Sequence, residues 1–205
     1  LAAELGIVIP ESAGGDAGAG EGIRAALDLA QERYRAGLAA RGEDAERARR
    51  YLADRGLDAA VIDHFGLGFV PDSFDVLVRA LAAARIPKEV GRQAGLLSQG
   101  SSGGFFDLLR GRITFPIRDV RGRVIAFGGR ALQPEQKPKY LNTPESPGRN
   151  KRESFYGFPW ALEPMRRNRR VVICEGYFDA IALHRAGVSE ALATWARQLA
   201  AAGIS

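Results

Sequence analysis

The sequence predicts an α+β chain: a helical subdomain, then a basic mixed β-sheet subdomain, then a short α/β unit. Three observations carry this. Between positions 21 and 94 apolar residues recur at helical spacing. From Arg112 the period shortens to two, and from Val171 a strand, a helix and a second strand follow in turn. With 205 residues, 46% hydrophobic and 26% charged, the chain can bury one or two modest cores, and wholesale disorder is excluded.

Residues 1–20 read as a linker, an apolar stretch passing into ESAGGDAGAG, which has no periodicity. Ile23, Leu27, Ala30, Tyr34 and Leu38 then share one face of a helix that Gly37 or Gly42 closes. Asp44 is placed to cap a second helix running through Tyr51 and Leu52 to Gly56. Asp58 begins a third, with Val61, Ile62 and Phe65 apolar. GLGFVPD (66–72) reads as a glycine-bounded connection. Ser73 starts a fourth helix carrying Phe74, Leu77, Val78 and Leu81, and a short fifth covers Lys88 to Ala94.

In the sheet region Ile113, Phe115 and Ile117 alternate with Thr114, Pro116 and Arg118. A turn at Asp119 to Gly122 and a second run, Val124 to Phe127, complete a β-hairpin. Arg110, Arg112, Arg118, Arg121, Arg123 and Arg130 stand before, within or at the ends of its strands, so the surface carries guanidinium forks suited to phosphate. Gly128-Gly129 fits a close backbone approach to a ligand, and equally a bulge or bend. In KPKYLNTPESP the three prolines disfavour helix, leaving Lys139, Tyr140 and Asn142 free to face a groove, and Lys151 follows. Arg166, Arg167, Arg169 and Arg170 read as a solvated loop patch.

The net charge of +5 conceals a segmental distribution. Residues 101–170 hold 15 Lys and Arg against 6 Asp and Glu, while the remainder holds 14 basic against 18 acidic residues. Basic residues interleaved with Phe105, Phe106, Phe115, Phe127, Tyr140, Phe155, Tyr156 and Trp160 make a candidate nucleic-acid track. About two-thirds of those rings are expected in the core, given how readily aromatic area is buried. One or two exposed rings would stack bases.

Val171 to Cys174 read as a buried strand stopped by Glu175-Gly176. A helix from Tyr177 to Ala186 ends at Gly187, and Val188 to Leu192 begin another strand. This puts Glu175 at the carboxyl end of a strand in a β-α-β unit, where α/β sheets bind ligands and a carboxylate can hold a divalent cation or move a proton. Cys174 is the one cysteine, so no internal disulfide forms, and it reads as an inert core thiol. One cysteine and two separated histidines, His64 and His184, assemble no structural zinc site, so none is expected. No run approaches eighteen apolar residues and no export signal opens the chain, so a cytoplasmic location and no membrane partner are expected.

The blocks FPIRDVRGRVIAFGGRAL (115–132), KYLNTPESP (139–147) and KRESFYGF (151–158), followed by VVICEGYFDAIAL, closely resemble the bacterial DnaG-type DNA primase. YLADRGLDAAVIDHFGLGFVPDSFDVLVRAL upstream looks like the same family. The resemblance implies that residues 21–158 are the basic, DNA-binding amino-terminal subdomain of the primase catalytic core, and residues 159–205 a truncated TOPRIM domain. It also implies synthesis of short RNA primers on a single-stranded DNA template from ribonucleoside triphosphates, with Mg2+ as cofactor and a replicative helicase as partner through a further domain. Glu175 would be the catalytic, metal-holding acid and Asp179 its supporting acid. Arg112, Arg130, Lys139 and Lys151 would line the path of template and nucleotide phosphates, alongside the residue-level candidates Arg110, Arg118, Tyr140 and Asn142. The family's remaining metal acids come from an Asp-x-Asp motif that this sequence lacks, so the chain is expected to be an inactive fragment. Where the family continues Leu-Gly-Thr, the sequence reads Trp195-Ala196-Arg197, as the loss of one nucleotide would produce, so 195–205 reads as an out-of-frame tail. Two alternatives stand beside this reading. One is a non-catalytic single-stranded nucleic-acid-binding module; the other is a different TOPRIM enzyme, which would leave FPIRDVRGRVIAFGGR unexplained.

Overall fold

Helix α1 (Ala17–Ala39) organises the amino-terminal half, burying the predicted stripe of Ile23, Leu27, Ala30, Tyr34 and Leu38. The computed structural model describes residues 17–144 and 155–194. Helix α1 therefore begins inside the stretch read as linker, while Lys151 and the tail from Trp195 to Ser205 lie outside the described residues. Gly37 does not close the helix. A Cβ there would lie 2.3 Å from the carbonyl oxygen of Phe69, so the glycine lets a strand run against the helix.

That strand is β1 (Gly68–Val70), antiparallel to β4 (Arg112–Arg118), where the sequence suggested only a connection. All three of its residues are buried, so no alternation betrayed it. Before it come α2 (Glu43–Ala53) and α3 (Ala59–Phe65). Asp58 caps α3 as expected, accepting from the Val61 amide at 2.8 Å. Asp44 does not cap α2. The helix starts one residue earlier, after Gly42, and Asp44 joins Glu43 and Glu46 in a first turn whose negative charge suits the helix dipole.

Helix α4 (Val76–Ala83) starts three residues later than Ser73 and leaves Phe74 outside it, 59% exposed. Its cap comes from elsewhere in the chain: the Asp107 carboxylate accepts from the amides of Leu77 and Val78 at 2.7 and 3.1 Å. Helix α5 (Lys88–Gln93) follows, then a small antiparallel hairpin that the sequence did not reveal, β2 (Leu97–Gln99) with β3 (Phe105–Asp107). The main sheet has the order β1-β4-β5-β6, with β5 at Val124–Ala131 and β6 at Tyr140–Asn142. Every pairing in it is antiparallel, so the sheet is not mixed.

Helix α6 (Phe158–Asn168) places Arg166 and Arg167 in its last turn rather than in a loop. Arg170 pairs with the buried carboxylate of Glu190. Strand β7 (Val172–Cys174), helix α7 (Tyr177–Arg185) and β8 (Ala191–Ala193) form the predicted β-α-β unit, with β7 and β8 parallel. β7 is not the buried strand expected: Val171 is 46% and Ile173 37% exposed, because a two-stranded sheet covers only part of its apolar surface. Tyr177, Ala180, Ile181 and Ala193 nevertheless join Phe65, Phe69, Ile113, Phe115 and Ile117 in one continuous core, which fixes this unit against the main sheet.

Candidate nucleic-acid interface

The β5–β6 ladder sets Arg130 opposite Tyr140, Gly129 opposite Leu141 and Gly128 opposite Asn142. The Arg130 guanidinium lies 5.1 Å from the Tyr140 ring centroid and 5.6 Å from that of Tyr51. Arg55 caps the other side, 3.6 Å over Tyr51 and 5.3 Å from Phe178. The result is a surface of two guanidinium groups and two phenol rings, with Tyr140 42% exposed and Lys139 exposed beside it. Tyr51 and Arg55 escaped the sequence reading. They stand in and just after α2, far from β5 and β6 along the chain, and only the fold brings them to the sheet end.

Arg112 stands next to this group, opposite Ala131 on β4, but it is not a surface residue: it is 2% exposed. Among the described residues its Nη1 has no acceptor, and the Nε of Arg130 has none either, while Arg130 Nη1 donates to its neighbour's carbonyl, that of Ala131, at 3.0 Å. Burial, then the charges of Arg110 and Arg130, hold Arg112 below the ordinary guanidinium value. Buried donors without acceptors cost stability. Arg110 extends the region outward, pairing with Asp72 at 2.8 Å and lying 4.1 Å over the exposed ring of Phe74, which packs against Phe106.

Arg118 is not part of this group. It occupies the opposite end of β4, about 20 Å away at strand rise, where its Nη1 donates to the carbonyl of Gly122 at 2.8 Å.

The acidic residues approach through Tyr177. Its ring stacks on Phe115 (4.7 Å between centroids, 12° between planes), and its hydroxyl donates to Asn142 Oδ1 at 2.5 Å. The ring lies so close to β5 that a Cβ on Gly128 would be 2.3 Å from the hydroxyl oxygen. Gly128 is therefore the close-approach glycine the sequence suggested, and what approaches is the chain's own tyrosine. Glu175 stands two residues before Tyr177, exposed at the end of β7. Asp179 sits in the first turn of α7 and folds back over Gly176. Its charge reaches the Tyr140 hydroxyl, which burial above all pushes up from its ordinary value. Basic groove and acidic loop thus meet at β6.

Two carboxylates suit a hard divalent cation. Among the described residues, however, no three His, Cys, Asp or Glu side chains converge to hold a metal, so the donors present do not complete a magnesium site. Nor, among the described residues, is any helix long and apolar enough to cross a membrane.

Comparison with known proteins fits this geometry. The family described as the DNA primase catalytic core, N-terminal domain, matches residues 34–162. The DNA primase of Pseudomonas putida is 44% identical over 170 residues, 82% of this chain and 25% of the relative; that of Myxococcus xanthus is 35% identical over 201 residues, 98% of this chain and 33% of the relative. The chain thus spans a quarter to a third of the length of these curated relatives. Among solved structures, the RNA polymerase domain of Mycobacterium tuberculosis primase DnaG, in complex with a double-stranded DNA oligomer with a 6-nucleotide overhang, superposes with a TM-score of 0.80 at 34% identity. That match covers 86% of this chain and 55% of the other. A DnaG primase catalytic domain bound to single-stranded DNA gives 0.78 at 35% identity, covering 87% and 56%. With more than half its length matched over residues 34–162, the chain belongs to the family of DNA primase catalytic core N-terminal domains.

Proposed function

We propose that this chain is the template-holding part of a DNA primase, which makes short RNA primers on single-stranded DNA for replication. One observation carries the reading: guanidinium donors without acceptors among the described residues, at Arg112 and Arg130, lie beside exposed Tyr140, on a sheet that Tyr177, two residues after Glu175, contacts at Gly128 and Asn142. Phosphates would displace water from Arg130, Lys139 and Lys151, with the buried Arg112 adding its charge from behind. Bases would stack on Tyr140 and Tyr51. The Tyr177 hydroxyl orients the Asn142 amide by donating to its oxygen, so that its nitrogen would donate to a base or phosphate.

Ribonucleoside triphosphates are the proposed second substrate, a replicative helicase the proposed partner, and the cytoplasm the proposed location. Magnesium, when bound, would neutralise triphosphate charge, with Glu175 and Asp179 among its ligands. Because two-metal chemistry needs several convergent carboxylates and the described residues gather too few, the chain is expected to form no primer when given magnesium, template and ribonucleotides. Measurable product would show that two acids suffice.

Binding is the direct test. The affinity of the chain for a fluorescent single-stranded oligonucleotide, followed by anisotropy, should fall steeply as salt rises, since each neutralised phosphate releases counterions. Lys139→Ala and Lys151→Ala should each lower the logarithmic salt slope by about one. An unchanged slope in both would remove them from the template path.

A further inference from the structure

A second cleft lies away from the basic groove and shares none of its residues. It has a volume of about 570 Å³ and opens where α3 meets α6 and α7, within the size range of small-molecule sites. Phe65, 2% exposed, forms its floor; Trp160 packs on Phe65 at 4.8 Å, with Val61 and Pro164 completing an apolar wall. The rings of His64 and His184 stand edge-on to Phe65 at 4.9 and 5.7 Å. His184 Nε2 lies 2.8 Å from the carbonyl of Ala191, so that nitrogen carries a proton, and burial, outweighing this bond, keeps the imidazole below its ordinary pKa. The charged groups of the rim are Arg185 and Asp58. Arg185 has no acid partner among the described residues, although its guanidinium lies against the backbone at Gly56. Asp58 commits one carboxylate oxygen to the α3 cap and, among the described residues, keeps the other free. An aromatic wall, an unpaired guanidinium and a free carboxylate oxygen match three features of one ligand: a flat ring, an anionic group and an amino group on the ring that donates N–H.

We propose that this cleft binds a planar aromatic anion with a ring amine, represented by a nucleoside monophosphate, its base against Trp160 and Phe65, its phosphate at Arg185, and its amine at Asp58.

This does not depend on the template reading, and the experiment keeps the two apart. The chain has two tryptophans, so Trp195→Phe leaves Trp160 as the sole reporter. Titrating that variant with adenosine monophosphate should give a saturable change in fluorescence. Adding Arg185→Ala, an exposed position, should weaken binding by roughly tenfold, the scale of one lost charge-assisted hydrogen bond. Arg130→Ala and Lys139→Ala should leave the titration unchanged. The proposal is overturned by any of four results: no saturable change, an affinity unaffected by Arg185→Ala, loss of the signal on Arg130→Ala or Lys139→Ala, or ribose 5-phosphate competing as well as the nucleotide.

Discussion

The two ends of strand β4 carry similar charge and use it differently. At the Arg118 end three cations are matched: Arg118 donates to the Gly122 carbonyl, Arg123 pairs with Asp119, and nearby Arg35 pairs with Asp63. At the Arg112 end, Arg112 and Arg130 hold donors that meet no acceptor among the described residues, and rings of Tyr51 and Tyr140 lie beside Arg130. Positive charge alone therefore does not mark a ligand surface. What distinguishes the Arg112 end is cationic hydrogen-bonding capacity that the described residues leave unused.

The largest expected effect tests whether the Arg112 end is also where the carboxy-terminal unit is locked. Gly128→Ala forces a methyl into the Tyr177 ring and should destabilise the chain by about 3 kcal/mol in urea unfolding. Gly122, in the turn at the other end, has φ +78, and a methyl placed on it would meet only open space. Gly122→Ala should cost only about 1 kcal/mol, the strain of a left-handed alanine. Equal costs would mean that Tyr177 swings aside freely, and the proximity of Glu175 to the groove would lose its structural basis.

The next effect is on binding. Arg130→Ala should weaken single-stranded DNA affinity by about tenfold, the scale of one charge-assisted contact with its ring stacking. Arg118→Ala should stay within about twofold, because its guanidinium is already spent on a turn carbonyl. If the two variants weaken binding equally, the polyanion covers both ends and the contrast fails.

Arg112→Leu should separate stability from function. A buried guanidinium with an unmatched donor is commonly replaced by an apolar side chain at no loss, so the variant should gain about 1 kcal/mol or at least hold its urea midpoint. Its DNA affinity should fall at the same time. A large loss of stability would show instead that Arg112 is a structural brace, satisfied in a way that leaves nothing for a ligand.

How much of this was legible in sequence differs between the parts for physical reasons. The stripe on α1, the Asp58 cap and the Val171–Leu192 β-α-β pattern are local, set by spacing within a few residues, and they were readable. β1 was hidden because it is buried on both faces and bounded by glycine, so it looked like a turn. The α4 cap was hidden because Asp107 supplies it from thirty residues away. In the groove, Arg130, Tyr140 and Asn142 share neighbouring strands and were found as a pattern, whereas Tyr51 and Arg55 arrive through tertiary packing. Which arginines lacked acceptors was not readable at all, since that depends on what the fold fails to place beside them.

The smallest effect distinguishes the ends by pH. Burial tends to raise the Asp119 carboxyl, but the Arg123 side chain, the amides of Arg123 and Arg121, and the Arg123 charge outweigh it and hold it below the ordinary 3.8. A carboxyl with a lower pKa folded than unfolded contributes stability that is fully present above the unfolded value and is lost as pH falls through the folded one. The contribution is modest, about 0.5 kcal/mol for a pair of this exposure. Asp119→Asn should therefore lower the urea midpoint at pH 7 slightly and narrow its gap from wild type as pH drops below about 4. Arg130→Ala should show no such convergence, because among the described residues the cations it leaves behind pair with no carboxylate other than Asp72. Convergence in both variants would reveal an acid partner at the Arg112 end, and the idea that its donors are held open for a polyanion would have to be abandoned.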